Sequence, residues 1–227
     1  MLYSEDAVKD NIRNREGKRV FYLGKGDQLT SAARDWLNRE RIPILPGEAA
    51  RASRYRILGG GWLEEKPEHM THLNGDTLVP KTHPRIRFRG KLDTLESELI
   101  LCQQALPQQS AVLGDILEYV REIIACDVLG KPLLREKLGG LTEEELRRRS
   151  HFPQEYYGQP HFMPQADHGQ AIARLNRLRC LAREAELAAA AAFQNGEGEP
   201  TRVDILRAMN RMSSMIYILM IEQKAKL

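Results

Sequence analysis

From Asp167 to Phe193 the chain alternates apolar and polar residues with a helical period: Ile172, Leu175, Leu178 and Leu181 recur at three-residue steps, and the later half is dense in alanine. That spacing gathers the apolar side chains on one stripe and alanine is the best helix former, so one long central helix is expected. Upstream, Leu92, Leu95, Leu99 and Cys102 make a stripe closed by Pro107, and Val112, Ile116, Val120 and Ile123 make another closed by Gly130 and Pro132. Proline cannot continue a helix, and glycine readily takes the left-handed cap, so both are stop signals. After Gly196 and Gly198 a last stripe of Ile205, Met209, Met212, Ile216 and Leu219 starts from about Thr201. Thr142 followed by Glu145 is a capping box that opens a short basic helix ending near His151-Phe152-Pro153. Four long helices with short connections predict an up-and-down bundle, so the fold class expected is all-α.

The first third of the chain has a different pattern. Short helical patterns lie around Ser4–Arg13 and Ser31–Arg39, the second with Thr30 as its N-cap, and Arg19–Leu23 reads as a strand ended by Gly24-Lys25-Gly26. Ile42-Pro43-Ile44 offers a second extended segment. Residues 1–45 are therefore expected to form a small α+β appendage. The Gly-x-Gly at 24–26 lacks the third glycine of a nucleotide fingerprint and reads as a turn. Residues 46–80 show little periodicity and carry Gly59-Gly60-Gly61 with Pro46, Pro67 and Pro80. Residues 46–69 are read as a linker, mobile over 46–66, with order returning over 70–90 and the bundle filling 70–227.

Composition narrows the class of partner. The 227 residues are 42% hydrophobic and 29% charged, with a formal net charge of +3 from interspersed acids and bases. A nucleic-acid footprint needs clustered positive charge, so no nucleic-acid partner is expected. Nor is a membrane expected, since no stretch has the roughly eighteen apolar residues of a span. The first ten residues lack the basic start and apolar run of a secretion signal, and a cytoplasmic location follows as the expectation. Cys102, Cys126 and Cys180 are few and far apart, which suits buried free thiols rather than a disulfide framework.

Four patches carry candidate chemistry. On the central helix Arg179, Arg183 and Glu186 stand at i, i+4 and i+7, so two guanidiniums and a carboxylate share a stripe. Like charges at i, i+4 repel by a few tenths of a kcal/mol on an exposed helix, and an anionic ligand would turn that into attraction. A solvated face with Arg183 paired to Glu186 satisfies the same spacing. The other patches are the basic run Lys81–Gly90, the set Arg207, Asn210, Arg211 and Ser214 sharing a face of the last helix, and the loop His161-Phe162-Met163-Pro164. His69, His72 and His83 lack the ligand spacing of a zinc site.

Together these segments resemble a known family. The run K-T-H-P-R-I-R-F-R-G-K-L-D-T-L-E-S-E from Lys81 is similar to the K-x-x-P-R-h-x-x-h-G-x-h-D-E-L-x-S segment of ATP-dependent cobalamin adenosyltransferases of the propanediol-utilisation type. L-N-R-L-R-C-L-A-R-E-A-E from Leu175 resembles their L-H-x-A-R-x-x-x-R-R-A-E, and M-N-R-M-S-S from Met209 resembles L-N-R-L-S-D. T-H-L-N-G-D from Thr71 and L-R-R-R-S-H ending at His151 are similar to motifs of the ethanolamine-utilisation branch.

The resemblance implies a ferritin-like bundle of five helices that assembles as a homotrimer, with ATP and the corrinoid at subunit interfaces and Mg²⁺ accompanying ATP. The implied activity is transfer of the 5′-deoxyadenosyl group of ATP to Co(I) of cobalamin, with handover of the product to ethanolamine ammonia-lyase. A bacterial microcompartment is the implied setting. By matched position Arg179, Arg183, Glu186 and Asn210 contact ATP, and Asp93 pairs with Arg179 across the interface. Thr71, Asn74, Asp76 and Lys81 belong to a phosphate-binding loop, and Arg85 lies in the same basic motif. Phe162 is the aromatic that displaces the lower cobalamin ligand, so Arg183, Phe162 and Arg179 are the implied catalytic set. Two positions depart from the family pattern: Glu184 stands where relatives have Arg, and Ser214 where they have Asp. Those departures make a non-catalytic cobalamin carrier or scaffold the alternative expectation. Some relatives carry a Cys-Cys-x-x-Cys metal cluster near the N-terminus, whereas here no cysteine precedes Cys102, so no iron or zinc is expected.

Overall fold

A computed structural model describes residues 1–15, 17–47 and 55–227. The chain divides into two compact units, Met1–His83 and Pro84–Leu227.

The first unit is built on a sheet. Its elements are β1 (Leu2–Tyr3), α1 (Glu5–Asp10), β2 (Arg13–Arg15), β3 (Lys18–Leu23), β4 (Gln28–Leu29), α2 (Ser31–Arg39), β5 (Ile44–Pro46), β6 (Tyr55–Ile57), β7 (Trp62–Leu63), β8 (Met70–Asn74) and β9 (Thr77–Pro80). Among the described residues seven strands form one mixed sheet in the order β5-β3-β2-β7-β6-β9-β8, and β1 pairs with β4 in parallel. The Thr30 side chain accepts from the Ala33 N–H to start α2, as its position before the helix predicts. Val8, Phe21, Ala33 and Leu37 form the core under the helices, and Leu63, Met70 and Leu78 a smaller one at the other end of the sheet.

This unit corrects the all-α expectation and enlarges the predicted appendage, since the sheet runs past residue 45 to Pro80. The described part of the expected linker, residues 46–69, carries β6 and β7. These strands are two and three residues long, too short to display alternation. Their neighbours Gly59, Gly60 and Gly61 all have positive φ, which reads as loop in the sequence and serves here as the turn between them. Residues 48–54, within the stretch expected to be mobile, lie outside the described residues.

The second unit is helical. It comprises α3 (Pro84–Ala105), α4 (Ser110–Leu129), a two-residue ribbon of β10 (Lys137–Leu138) and β11 (Leu141–Thr142), then α5 (Glu143–His151), α6 (Pro153–Tyr157), α7 (Gly169–Ala192) and α8 (Val203–Lys224). The predicted stripes face inward: Leu92, Leu95, Leu99, Ile116, Val120, Ile123, Ile172, Leu175, Leu178, Ile205, Met209 and Ile216 are all buried in one core. Each such side chain is worth about 1.5–3 kcal/mol of transfer free energy, far more than helix propensity supplies. The helix ends follow the predicted signals. Gly130 caps α4 in the left-handed conformation, and the Thr142–Glu145 box opens α5 with both reciprocal bonds present. Gly139 is required twice over, by a φ of +60° and because a Cβ there would sit 2.9 Å from the Met215 sulfur.

Two buried charges fix how the long helices meet. Asp127, fully buried on α4, accepts from Arg85 Nε at 2.8 Å and from Arg89 Nε at 2.7 Å, while Arg85 Nη2 also reaches the Asp127 carbonyl oxygen. Glu98 on α3 accepts from Arg177 on α7 at 2.8 Å. The expectation of three buried thiols holds only for Cys102: Cys126 is half-buried, and Cys180 is exposed on the side of α7 away from its apolar stripe. Burial pushes the Cys102 thiol up to about 11, with Glu98 adding to the shift, so it packs as an inert small hydrophobe.

Candidate functional site

The segment between α6 and α7 builds one wall of a sizeable cavity. Gly158 ends α6 at a φ of +65°, and Pro160 and Pro164 keep the following residues out of regular structure until a short turn at Ala166–His168. The chain therefore passes without regular structure beside the middle of α7 and α8, presenting His161, Phe162 and Met163. Together with Arg179, Arg183 and Asn176 of α7, and Ser213, Ser214 and Tyr217 of α8, they line a cavity of about 720 Å³.

The arrangement is amphipathic. The Phe162 ring lies 6.4 Å from that of Tyr217 at an interplanar angle of 23°, with its edge against His168. The Arg179 guanidinium lies 5.4 Å over the Tyr217 ring, a cation–π contact worth about 0.5–2 kcal/mol depending on solvation. His161 stacks on the same ring at 5.8 Å and 9°, its Nδ1 2.9 Å from the Tyr217 hydroxyl and its Nε2 3.1 Å from the His151 carbonyl oxygen. The cavity thus offers aromatic faces together with two guanidiniums, a setting for a flat apolar body bearing or meeting an anion.

Glu186 turns toward α8 and accepts from Asn210 Nδ2 at 2.7 Å, while Arg211 Nη2 donates to Asn210 Oδ1. The amide orientation is thereby set by a cation on one side and a carboxylate on the other. Glu184 is paired with Lys91 of α3 at 2.7 Å, which shows where the charge at this departing position goes. Ser214 Oγ donates back to the Asn210 carbonyl oxygen.

The three residues expected to be catalytic, Arg183, Phe162 and Arg179, therefore come together around one cavity, with Glu186 and Asn210 on the adjoining stretch of α7 and α8. Others belong to different elements. Thr71 and Asn74 are on β8 and Asp76 is in the β8–β9 turn, where its carbonyl accepts from the Arg56 N–H. Lys81 follows β9 and pairs with Glu68 at 2.9 Å. The expected phosphate loop is thus a β-hairpin. Arg85 is engaged by Asp127, and Asp93 is exposed on α3. The set Arg207, Asn210, Arg211 and Ser214 borders two hollows: Arg207 and Arg211 line a second one of about 590 Å³ with Tyr119 and Arg135, while Ser214 lines the first. Positions i to i+7 extend about 10 Å along the helix axis, so a single stripe reaches both hollows.

Tyr217 escaped the sequence reading, although it lies three residues beyond Ser214 and seven beyond Asn210 on the same stripe. Aromatics on apolar helices are usually core, and only the hydroxyl's partner and the cation over its ring mark it out.

The family model described as cobalamin adenosyltransferase matches residues 63–223. The chain belongs to the cobalamin adenosyltransferase family. It is 39% identical over 163 residues to the corrinoid adenosyltransferase EutT of Salmonella typhimurium strain LT2, covering 71% of this chain and 61% of that protein. It is also 39% identical over 158 residues to EutT of Escherichia coli strain K12, covering 69% and 59%. The aligned region thus spans about three fifths of these relatives. The match to the adenosyltransferase family embraces every residue around the cavity and the whole β8–β9 hairpin.

Proposed function

We propose that the protein transfers the 5′-deoxyadenosyl group of ATP to Co(I) of cobalamin, in support of ethanolamine ammonia-lyase. The observation that carries this reading is the cavity that gathers Phe162, Arg179 and Arg183, inside a family match covering most of the chain. In the reaction the cobalt electron pair forms the bond to C5′ while the C5′–O bond breaks, and the triphosphate leaves with that bond's electrons. Charge accumulates on the leaving group, so guanidiniums already in place lower the barrier without reorganising at the moment of reaction. Arg183, exposed and projecting from α7, is assigned to the polyphosphate, and Arg179, steadied on the Tyr217 face, to the same charge nearer the corrin.

Phe162 is assigned to the lower face of the corrin, where an aromatic in place of the axial ligand makes Co(II) easier to reduce. Aromatic walls also keep water from the nucleophilic Co(I). Glu186 and Asn210 are assigned to ATP, and Thr71, Asn74, Asp76 and Lys81 to its phosphates on motif resemblance, with Mg²⁺ as counter-ion. We infer further that the helical unit is the ferritin-like bundle of the family, α3, α4, α5, α7 and α8 being its five helices, and that the protein works as a homotrimer in which Asp93 pairs with Arg179 of a neighbouring copy. Among the described residues no helix is long and apolar enough to cross a membrane. A cytoplasmic location near a bacterial microcompartment fits the proposed pathway.

Incubating the purified protein with ATP, Mg²⁺ and chemically reduced cobalamin is expected to convert the Co(I) spectrum to that of adenosylcobalamin, with one ATP consumed per corrinoid. Binding of both substrates without conversion would overturn the reading.

A further inference from the structure

We propose that His161 is a positioning residue, an imidazole that latches the Phe162 segment to α8 through the Tyr217 hydroxyl and to α5 through the His151 carbonyl. The tautomer follows from the partners. A carbonyl oxygen only accepts, so Nε2, 3.1 Å from the His151 oxygen, carries the hydrogen. In a neutral ring the other nitrogen then accepts, and the Tyr217 hydroxyl 2.9 Å from Nδ1 is its donor.

The latch stands where the backbone offers little else. The segment is bracketed by the Gly158 N–H to Gln154 and His168 N–H to Gln165 bonds, and the residues between, Gln159–Pro164, belong to no helix or strand. Phe162 is the next residue after His161, so freeing the imidazole frees the aromatic ring. The same bond sets the hydroxyl end of Tyr217, whose ring carries the Arg179 guanidinium on one contact and Phe162 on another. One side-chain chain therefore fixes the aromatic and the cation relative to each other.

The inference rests on the proposed reaction only in giving Phe162 its task at the corrin. Its test uses the full chain carrying Tyr217→Phe, which keeps the ring and removes the donor, His161→Ala, and His161→Gln, whose amide N–H can still reach the His151 carbonyl. Hydrogen exchange of the 159–165 backbone in the ligand-free protein is expected to quicken about fivefold in the first two, the loss of one net hydrogen bond, and less in the third. The rate from cob(II)alamin with reductant is expected to fall at least about tenfold relative to the rate from preformed cob(I)alamin, with calorimetric ATP affinity held within about twofold. Wild-type exchange in Tyr217→Phe overturns the latch. So does faster exchange with an unaltered Co(II)-to-Co(I) rate ratio, or a parallel fall of both rates, ATP affinity and melting temperature, which marks a merely structural bond. If the unaltered protein converts no cobalamin, the reaction fails while the exchange experiment still decides the latch.

Discussion

The side-chain amide of Asn210 on α8 donates to the carboxylate of Glu186 on α7 at 2.7 Å, and it can do so in one orientation only because Arg211 holds its carbonyl oxygen. Replacing the amide leaves a half-buried carboxylate without its donor, at a cost of about 1–3 kcal/mol. Asn210→Ala is expected to lower the urea midpoint with an unchanged slope, and to weaken ATP binding about tenfold by calorimetry. Asn210→Asp should weaken ATP more, since it sets a second negative charge against Glu186 and against the nucleotide's phosphates.

Arg183 differs from Arg179 in what holds it. Arg179 rests on the Tyr217 ring, whereas Arg183 is exposed on the cavity rim. Arg183→Ala should therefore leave the melting temperature within about a degree, surface changes being worth no more than about 0.5 kcal/mol. Loss of a preorganised charge at the leaving group should cut kcat about 10²–10³-fold in a steady-state assay of adenosylcobalamin formation. Unaltered kinetics would remove Arg183 from the reaction.

On the proposed reading Phe162 bears on the reduction and not on the transfer itself. Phe162→Ala is expected to abolish turnover started from cob(II)alamin with a weak reductant while costing far less when preformed cob(I)alamin is supplied. Stopped-flow traces from the two starting states check this, and equal losses would place the ring in the transfer step instead.

The helical unit was legible because long helices repeat their signal. About three turns of Leu92-Leu95-Leu99-Cys102 or Ile205-Met209-Met212-Ile216 spacing leave little ambiguity, and Gly130, Pro107 and Thr142 mark the ends. Of the sheet, β3 was legible at Arg19–Leu23 and β5 in part at Ile42-Pro43-Ile44, but β6 and β7 hold five residues between them, too few to repeat an alternation. In the site, charges on one helix could be paired from spacing, as Arg179 and Arg183 were. What spacing could not show is which residues the extended segment after α6 brings against α7 and α8, so Tyr217 and the partners of His161 emerged only in three dimensions. Basic residues in the Lys81–Gly90 run looked alike as letters, yet Lys81 is exposed beside Glu68 and Arg85 is taken up by the buried Asp127.

Acid should loosen the start of α8. Asp204 accepts from the Arg202 side chain and from the Leu133 N–H, and with Arg202 the leading cause its carboxyl is held down at about 2 against an unfolded value near 3.8. A depressed carboxyl contributes stability above the unfolded value that is lost as pH falls through the folded one, here between about 4 and 2. After allowance for solvent screening the contribution is about 1 kcal/mol. Urea midpoints measured from pH 6 to pH 2 should fall less steeply in Asp204→Asn than in the unaltered protein over that window, and parallel curves would show that the pairing contributes nothing.

Asp127 is the charge whose loss the bundle should tolerate least. It is fully buried on α4 and takes guanidinium hydrogens from Arg85 and Arg89 on α3, both of them mostly shielded from solvent. Removing the carboxylate leaves two cations facing one another in a site with little water, and breaking such a pair costs roughly 3–5 kcal/mol. Asp127→Ala is expected to unfold the helical unit at markedly lower urea concentration, or to reduce soluble yield. Asp127→Asn keeps the shape and one acceptor and should recover less than half of that loss. The triple change Asp127→Leu, Arg85→Met, Arg89→Leu removes all three charges together, and its return toward the parent midpoint is the decisive measurement: it would show that the cost lies in stranding the arginines rather than in losing the ion pairs.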